Sequence, residues 1–284
     1  MGKLGLVLEG GGMRGFYTIG VLDFFMEQNF FADYVIGVSA GAGNGVSYVS
    51  NQKGRCYTVN TKYLSDKRYL SLSSFIKTKS LFGMDFIFKE IPDTLEKFDY
   101  DAFSASKCEF VAGVTDVFTG KPKYFTKEFI DHDATVLRAS SSIPIFSPIV
   151  EFNGGKYLDG GTSDPIPFEK ALADGCDRLV VVLTRHKGYV KTKEKYRCIY
   201  KKILRKFPKM VELLNTRHEI YNAELERLFE LEKQGKAIVI APALPIKISR
   251  FEKNIKNLDE LYEMGKIDAK LKYYEILELK KQGN

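Results

Sequence analysis

Short apolar runs alternate with helical segments over the first 50 residues, and glycines stand at the junctions. Residues 4–8 and 34–38 are mainly apolar runs that predict two buried strands. Helices are predicted over residues 17–27 and 42–49, each after a turn that contains glycine. This alternation favours a parallel sheet covered by helices, and therefore an α/β fold.

The same signals return along the rest of the chain. Further strands are predicted at residues 109–115, 123–125, 149–152, 156–158, 178–184 and 237–240. Further helices are predicted at 134–140, at 209–234, at 258–279, and in a segment that Asp164 caps, Pro165 begins and Gly175 closes. Because one strand comes so late, we expect residues 1–284 to form a single domain. Its part after about residue 187 is expected to be mainly helical and basic.

The net charge of +7 is concentrated in one segment. Residues 187–209 contain ten basic residues and a single acid, Glu194, with Tyr189, Tyr196, Tyr200 and Phe207 among them. We interpret this segment first as a solvated helix face. The alternative is peripheral contact with an anionic membrane surface, through charge and interfacial aromatics. No nucleic-acid recognition module accompanies the charge, so no nucleic-acid partner is expected.

The cysteines and the absence of long apolar runs indicate in which cellular compartment the protein is expected. Cys56, Cys108, Cys176 and Cys198 form no Cys-x-x-Cys pair, and no histidine stands at metal-ligand spacing beside them. We interpret them as reduced, mostly buried thiols, and we expect no metal. No apolar run reaches the roughly 18 residues of a membrane span. The protein is therefore predicted to be cytoplasmic, with peripheral membrane contact as the alternative. The sequence leaves the oligomeric state undetermined.

A glycine-framed serine stands between the second strand and the following helix. Gly37-Val38-Ser39-Ala40-Gly41 matches Gly-x-Ser-x-Gly, which forms a nucleophile elbow when a strand precedes it and a helix follows. The sharp turn admits only small neighbours and projects the serine oxygen off the sheet edge. Ser39 is therefore the candidate nucleophile, and Gly37 and Gly41 support its turn.

A glycine-rich loop follows the first strand. Gly10-Gly11-Gly12-Met13-Arg14-Gly15 also matches Gly-x-Gly-x-x-Gly, which binds dinucleotides when an acidic residue ends the next strand. That strand ends at Ser39 instead, and Asp33 lies before it. The amides of Gly10, Gly11, Gly12 and Met13 are therefore interpreted as an oxyanion hole. Arg14 adds positive potential there, and Gly15 supports the loop.

An aspartate with two glycines follows the predicted hairpin. Asp-Gly is most often an ordinary turn, and Asp159-Gly160-Gly161 taken alone favours that reading. A serine nucleophile, however, needs a base beside it. Asp159 ends a strand, and two glycines allow other backbone to approach it closely, so it is a candidate base.

Together the three motifs resemble those of the patatin-like phospholipase family. A fourth block, residues 139–148, is similar to the small-residue and proline segment that precedes the aspartate in that family. The resemblance covers residues 4 to about 184 and continues more weakly, toward bacterial members, to the C-terminus. It implies a three-layer α/β/α sandwich with a mostly parallel central sheet. It also implies a Ser39–Asp159 dyad that cleaves acyl esters of lipids without a metal or other cofactor.

The resemblance leaves several points open. In one alternative, His186 completes a Ser-His-Asp triad of an esterase or thioesterase, while His132 and His218 are surface or helix residues. In another, the protein is non-catalytic and the loop at residues 10–15 binds a phosphate or a nucleotide. The dense apolar stretch 81–88 is interpreted as core, with an acyl-chain pocket or a lid as alternatives. Asp159 itself is expected near its ordinary pKa of about 3.9, hence weakly basic.

Overall fold

The computed structural model describes residues 2–193 and 197–282. Within them, eight strands form one mixed sheet. The strands are β1 (Lys3–Leu8), β2 (Tyr34–Val38), β3 (Glu109–Asp116), β4 (Pro122–Thr126), β5 (Val150–Phe152), β6 (Gly155–Asp159), β7 (Cys176–Val182) and β8 (Ala237–Ile240). Five of them, in the order β3-β2-β1-β7-β8, are parallel, and β4, β5 and β6 add an antiparallel part at the β3 end.

Helices cover both faces of this sheet. They are α1 (Phe16–Glu27), α2 (Ala40–Val49), α3 (Arg55–Lys62), α4 (Leu72–Thr78), α5 (Tyr100–Ala105), α6 (Thr135–Ser140), α7 (Phe168–Ala173), α8 (Arg197–Ile203), α9 (Pro208–Lys233) and α10 (Ile255–Lys281). A π-helix spans Phe86–Leu95, and short 3₁₀ turns occupy Gly12–Gly15, Lys127–Phe129 and Gly160–Thr162. Buried side chains of α1, α2 and α10 share one core with the sheet, and those of α7 and α9 share another. The predicted α/β fold, with helices on both sides of the sheet, is confirmed.

Side chains that alternate between the two faces of the sheet explain why there are two cores. Successive side chains of a strand point to opposite faces of the sheet. In β1, Leu4, Leu6 and Leu8 pack into the core under α1, α2 and α10, whereas Val7 packs into the core under α7 and α9. Because both faces are buried, the strands have the continuous apolar runs from which they were predicted.

Strand β3 brings β2 and β6 together. Residues 109–113 pair with β2, and residues 114–116 pair with β6. Because β4 pairs with residues 111–115, it occupies the opposite edge of β3. β2 and β6 therefore share one edge, end to end, with Val38 opposite Gly113 and Asp159 opposite Val114. This arrangement brings the end of β6 to the turn that follows β2.

The C-terminal part joins the same sheet. β8 pairs in parallel with β7, and the Tyr17 hydroxyl of α1 donates a 2.6 Å hydrogen bond to Asp268 of α10. These contacts join the C-terminal part to the sheet and to α1. Among the described helices, none has the length and apolar character needed to cross a bilayer. Cys56, Cys108 and Cys176 are buried and unpaired, as predicted, whereas the side chain of Cys198 lies outside the described part.

The prediction of a helix that Asp164 caps and Pro165 begins is wrong. The helix α7 begins at Phe168, although Gly175 (φ +90°) follows its end as predicted. The Asp164 carboxyl instead accepts a hydrogen bond from the Tyr124 hydroxyl and lies against Glu224. Burial raises the pKa of both carboxyls, so the two side chains form a buried pair. This long-range partnership replaces the local cap.

The three described aromatic residues of the basic segment, Tyr189, Tyr200 and Phe207, pack against other parts of the protein. Tyr200 is buried, the Tyr189 ring packs on Tyr221, and the Phe207 ring packs on Phe118. The interfacial role is therefore wrong for Tyr200. Tyr196 lies outside the described residues. The apolar side chains that α8 exposes are Ile199 and Ile203.

Candidate active site

The turn after β2 is a strained nucleophile elbow. Ser39 has φ 54° and ψ −127°, a conformation that an L-residue rarely adopts, and α2 begins at the next residue. A Cβ on Gly41 would lie 2.3 Å from the Leu8 carbonyl oxygen, and one on Gly37 would lie 2.6 Å from the carbonyl carbon of Gly41. Only glycine fits at both positions, which is the geometry expected from the motif.

A buried serine from another part of the chain holds this strained turn. The Ser39 amide donates a 2.9 Å hydrogen bond to the Ser140 hydroxyl. That hydroxyl in turn donates a 2.7 Å hydrogen bond to the Gly113 carbonyl of β3. The sequence analysis assigned no role to Ser140. The only signal was its place in the small-residue block at 139–148.

The glycine loop lies against the elbow. A Cβ on Gly10 would stand 3.0 Å from the Ser39 Cβ, and the Gly15 carbonyl accepts a 3.1 Å hydrogen bond from Asn44 of α2. The Met13 amide donates to the Arg250 carbonyl at 3.2 Å. Met13 is therefore wrong as an oxyanion donor, because a contact from a distant loop engages its N–H. Gly10, Gly11 and Gly12 are the remaining candidates in the loop.

Asp159 ends β6 beside Ser39 and is buried. Its carboxylate accepts a 2.8 Å hydrogen bond from the Gly161 amide, and the Ser39 side chain is a second hydrogen-bond partner. Burial raises the pKa of the carboxyl above its ordinary value, against the opposing influence of Ser39 and of the Arg217 and Arg250 charges. The expectation of an ordinary pKa is therefore wrong, and Asp159 is a stronger base than the sequence suggested.

The two glycines of the third motif fit closely around Asp159. A Cβ on Gly160 would lie 2.1 Å from the Gly113 carbonyl oxygen, so the turn needs glycine there. The Gly161 carbonyl accepts a 2.9 Å hydrogen bond from the Arg217 Nε of α9. The turn that carries the carboxylate is thus held from both the sheet and the C-terminal part.

Ser39 lies where two cavities meet. The apolar cavity, of about 170 Å³, has Met13, Phe16, Val59, Phe82, Phe88 and Leu137 in its wall. The basic cavity, of about 310 Å³, has Arg14, Arg185, Lys191, Lys193, Arg217 and Arg250 in its wall, and Asp159 also lines it. The stretch 81–88 contributes Phe82, Met84, Ile87 and Phe88 to the apolar cavity, whereas Phe86 is buried. This supports the pocket interpretation for four residues of that stretch.

Several charged residues of the basic cavity were missed by the sequence analysis. Glu9 and Arg185 lie just beyond β1 and β7, at the sheet edge where ligands of α/β folds bind, and this position was a usable signal. Arg217 and Arg250 gave no such signal, because a helix and a loop far along the chain carry them. Their place in the site depends on the tertiary fold.

Two family models match parts of this chain. A family model described as patatin-like phospholipase matches residues 6–172, which contain all three glycine-framed motifs. The chain belongs to this family. A second family model, of a domain of unknown function (DUF6363), matches residues 207–281. The patatin-like match therefore carries the elbow and Asp159, and the second match carries Arg217 and Arg250.

Relatives of this patatin-like chain include an uncharacterized protein and a lysophospholipase. The uncharacterized protein YjjU of Escherichia coli K12 is 30% identical over 277 residues, with 94% of this chain and 76% of that protein covered. Lysophospholipase NTE1 of Saccharomyces cerevisiae is 27% identical over 187 residues, with 63% of this chain but 10% of that protein covered. The solved structure of VipD from Legionella pneumophila aligns with a TM-score of 0.47 at 12% identity, over 95% of this chain and 66% of that one.

The other candidates from the sequence lie away from the patatin-like site. His186 lines neither cavity, and its Nδ1 has no hydrogen-bond partner among residues 2–193 and 197–282. The His132 ring packs on Tyr100, and His218 lies in α9. Asp33 accepts a hydrogen bond from the Leu4 amide at the opposite end of β1, far from where a nucleotide ribose would need it. Across the described residues, no three His, Cys, Asp or Glu side chains cluster in a way that could hold a metal ion.

Proposed function

We propose that this protein is a serine acyl hydrolase that cleaves carboxylic esters of lipids, with Ser39 as nucleophile and Asp159 as base. Family membership supports lipid hydrolysis in general. The dyad proposal rests on one observation: a strained serine and a buried carboxylate, from strands far apart in the sequence, meet at the junction of an apolar and a basic cavity. The lysophospholipase name of the yeast relative favours single-chain phospholipids as substrates.

The mechanism begins with proton transfer from the Ser39 hydroxyl to the Asp159 carboxylate as the serine oxygen attacks the ester carbonyl. The amides of Gly10, Gly11 and Gly12 stabilise the negative oxygen that forms. Collapse of this intermediate breaks the ester bond, and the alcohol leaves with the proton from Asp159. Asp159 then takes a proton from water, which attacks the acyl-enzyme. As this second intermediate collapses, Asp159 gives the proton to the Ser39 oxygen, and the fatty acid and free Ser39 are released. The raised pKa of the carboxyl favours each of its proton-accepting steps.

A labelling experiment with matched variants tests this function. The wild-type protein should react with a fluorophosphonate probe and hydrolyse a p-nitrophenyl acyl ester. Ser39→Ala should do neither, and Asp159→Asn should lose turnover in a folded protein. His186→Ala serves as the matched control and should keep turnover within about twofold. Near-complete loss in folded His186→Ala would instead favour the triad, and a folded wild type that neither labels nor cleaves esters would refute a hydrolase.

The basic segment supports a finer proposal about location. We propose a cytoplasmic enzyme, as the unpaired Cys56, Cys108 and Cys176 suggest, that touches anionic membranes through α8. Ile199 and Ile203 are exposed there beside the exposed Lys201 and Lys202. Co-sedimentation with anionic vesicles at low salt should fall in Ile199→Ser, and equal binding to neutral vesicles would contradict the proposal.

A further inference from the structure

The basic cavity contains more positive charge than the chemistry at Ser39 requires. Among the described residues, six basic side chains line it, together with the carboxylates of Glu9 and Asp159. Glu9 is already engaged, because it accepts hydrogen bonds from the Thr184 hydroxyl at 2.9 Å and from the Tyr221 hydroxyl at 2.8 Å. Asp159 is engaged with Ser39 and Gly161. The cavity is therefore built to attract an anion.

Arg14 gives an independent indication of a ligand. Its side chain is only 7% exposed, and within the described part of the chain its Nε has no hydrogen-bond partner. Burial, together with the nearby charges of Arg185 and Arg250, lowers the pKa of Arg14 to about 10, which still leaves it charged at neutral pH. A buried guanidinium nitrogen without an acceptor is costly, and a bound anion would supply an acceptor for the Arg14 Nε.

The other basic side chains come from beyond residue 172, where the patatin-like match ends. Arg185 follows β7, and its guanidinium lies 4.7 Å over the Tyr189 ring. Arg250 lies in the loop before α10, and its carbonyl accepts a hydrogen bond from the Met13 amide, which links this loop to the glycine loop. The Tyr189 ring therefore supports the Arg185 guanidinium, and the Met13 amide holds the Arg250 backbone beside the dyad.

We propose that this later part of the chain builds a headgroup subsite, in which Arg185 and Arg250, together with Arg14, bind the phosphate of an anionic lysophospholipid. The inference rests on the proposed function and assigns a role to part of the match at residues 207–281. The single acyl chain lies in the apolar cavity, the ester carbonyl lies at Ser39, and the phosphate lies in the basic cavity. Arginine suits this role because its planar fork donates two parallel hydrogen bonds to phosphate oxygens.

Three substrates with one common acyl chain test the subsite. They are lysophosphatidylglycerol (anionic), lysophosphatidylcholine (zwitterionic) and monoacylglycerol (no phosphate), each in micelles of a neutral detergent. The wild type should show the highest kcat/KM for the anionic substrate. Arg185→Gln and Arg250→Gln should each lower the ratio of kcat/KM for the anionic substrate to that for monoacylglycerol, on the order of 10- to 100-fold.

Arg205→Gln is the matched control. Arg205 is exposed in the basic segment 187–209 and is not among the residues that line the cavity, so this variant removes one positive charge without touching the subsite. It should leave the ratio unchanged. If it lowers the ratio as much as Arg185→Gln, the preference reflects diffuse surface attraction and the subsite is refuted. Lys193→Gln, at an exposed position of the cavity wall, provides a second test if the arginine variants fail to fold.

Calorimetric titration separates this inference from the proposed function. Glycerol 3-phosphate should bind the wild type and bind Arg185→Gln more weakly. If the wild type cleaves no ester but this difference holds, the hydrolase proposal fails and the anion subsite stands. If esters are cleaved with no headgroup preference and inorganic phosphate binds as well as glycerol 3-phosphate, the site holds free phosphate, and the headgroup assignment is overturned. If esters are cleaved without preference and neither anion binds, the subsite is refuted.

Discussion

Replacement of Ser140 by alanine is expected to damage the elbow without touching either member of the dyad. The hydroxyl of this fully buried residue links the Ser39 amide at 2.9 Å to the Gly113 carbonyl at 2.7 Å. Its removal leaves a buried donor and a buried acceptor without their partner, and each such loss costs about 1–3 kcal/mol. The free energy of unfolding should therefore fall by about 2–6 kcal/mol.

The activity of Ser140→Ala should fall further than its stability suggests. Ser39 has a strained backbone at φ 54°, and that conformation persists only while its surroundings hold it. Without the Ser140 hydroxyl the turn can relax, and a displacement of about 1 Å at the nucleophile can cost about 100-fold in rate. We expect kcat to fall by about that factor in protein that is still folded at the assay temperature.

Ser142→Ala is the matched control for this experiment. Ser142 is also fully buried, and its hydroxyl donates to the Arg138 carbonyl at 2.8 Å. Its hydrogen bond with the Asp159 amide is made by the backbone carbonyl, which alanine keeps. Thermal unfolding by circular dichroism should show a loss of about 1 kcal/mol, and kcat should stay within about twofold of the wild type. If Ser140→Ala loses stability but keeps wild-type kcat, the Ser140 hydroxyl does not maintain the elbow, and the reasoning fails.

Three further predictions concern the base, the turn and the apolar cavity. Because burial raises the pKa of Asp159 in the folded state, its ionised form destabilises the fold. Asp159→Asn should therefore raise the melting temperature at pH 7 and leave it unchanged below the ordinary pKa of about 4. The same difference between variant and wild type at both pH values would contradict this. In the pH profile of the wild type, kcat/KM should fall on the acid side with a midpoint above pH 4. In Gly41→Ala the new Cβ would lie 2.3 Å from the Leu8 carbonyl oxygen, so the free energy of unfolding measured with denaturant should fall by about 3 kcal/mol or more. In the control Gly43→Ala the Cβ meets nothing within 4 Å, and the free energy of unfolding should rise by about 0.5–1 kcal/mol. Val59→Phe should lower kcat/KM for long acyl chains and spare short ones on a chain-length panel, since Val59 lines the apolar cavity; equal losses would argue against an acyl pocket there.

The strands and the elbow could be predicted from the sequence because their causes are local. Apolar runs predicted β1 and β2. The spacing of Gly37, Ser39 and Gly41 predicted the turn between β2 and α2, and the structure contains it. Local signals failed where a distant partner competed with them. The cap expected at Asp164 was replaced by a buried pairing with Tyr124 and Glu224, and the Met13 amide was engaged by the Arg250 carbonyl.

The sequence by itself determined where the glycine-framed turn of Ser39 lies, because the spacing of Gly37, Ser39 and Gly41 is contained in five residues. The hydrogen bond from the Ser39 amide to Ser140, which holds the strained conformation, comes from the tertiary structure. Only the tertiary structure brought Asp159 to that serine. Strand β3 pairs with β2 and then with β6 along one edge, and this pairing joins segments about 120 residues apart. Burial, which raises the pKa of Asp159, and the arginines of the basic cavity likewise arise from contacts between distant segments, which no short sequence window contains.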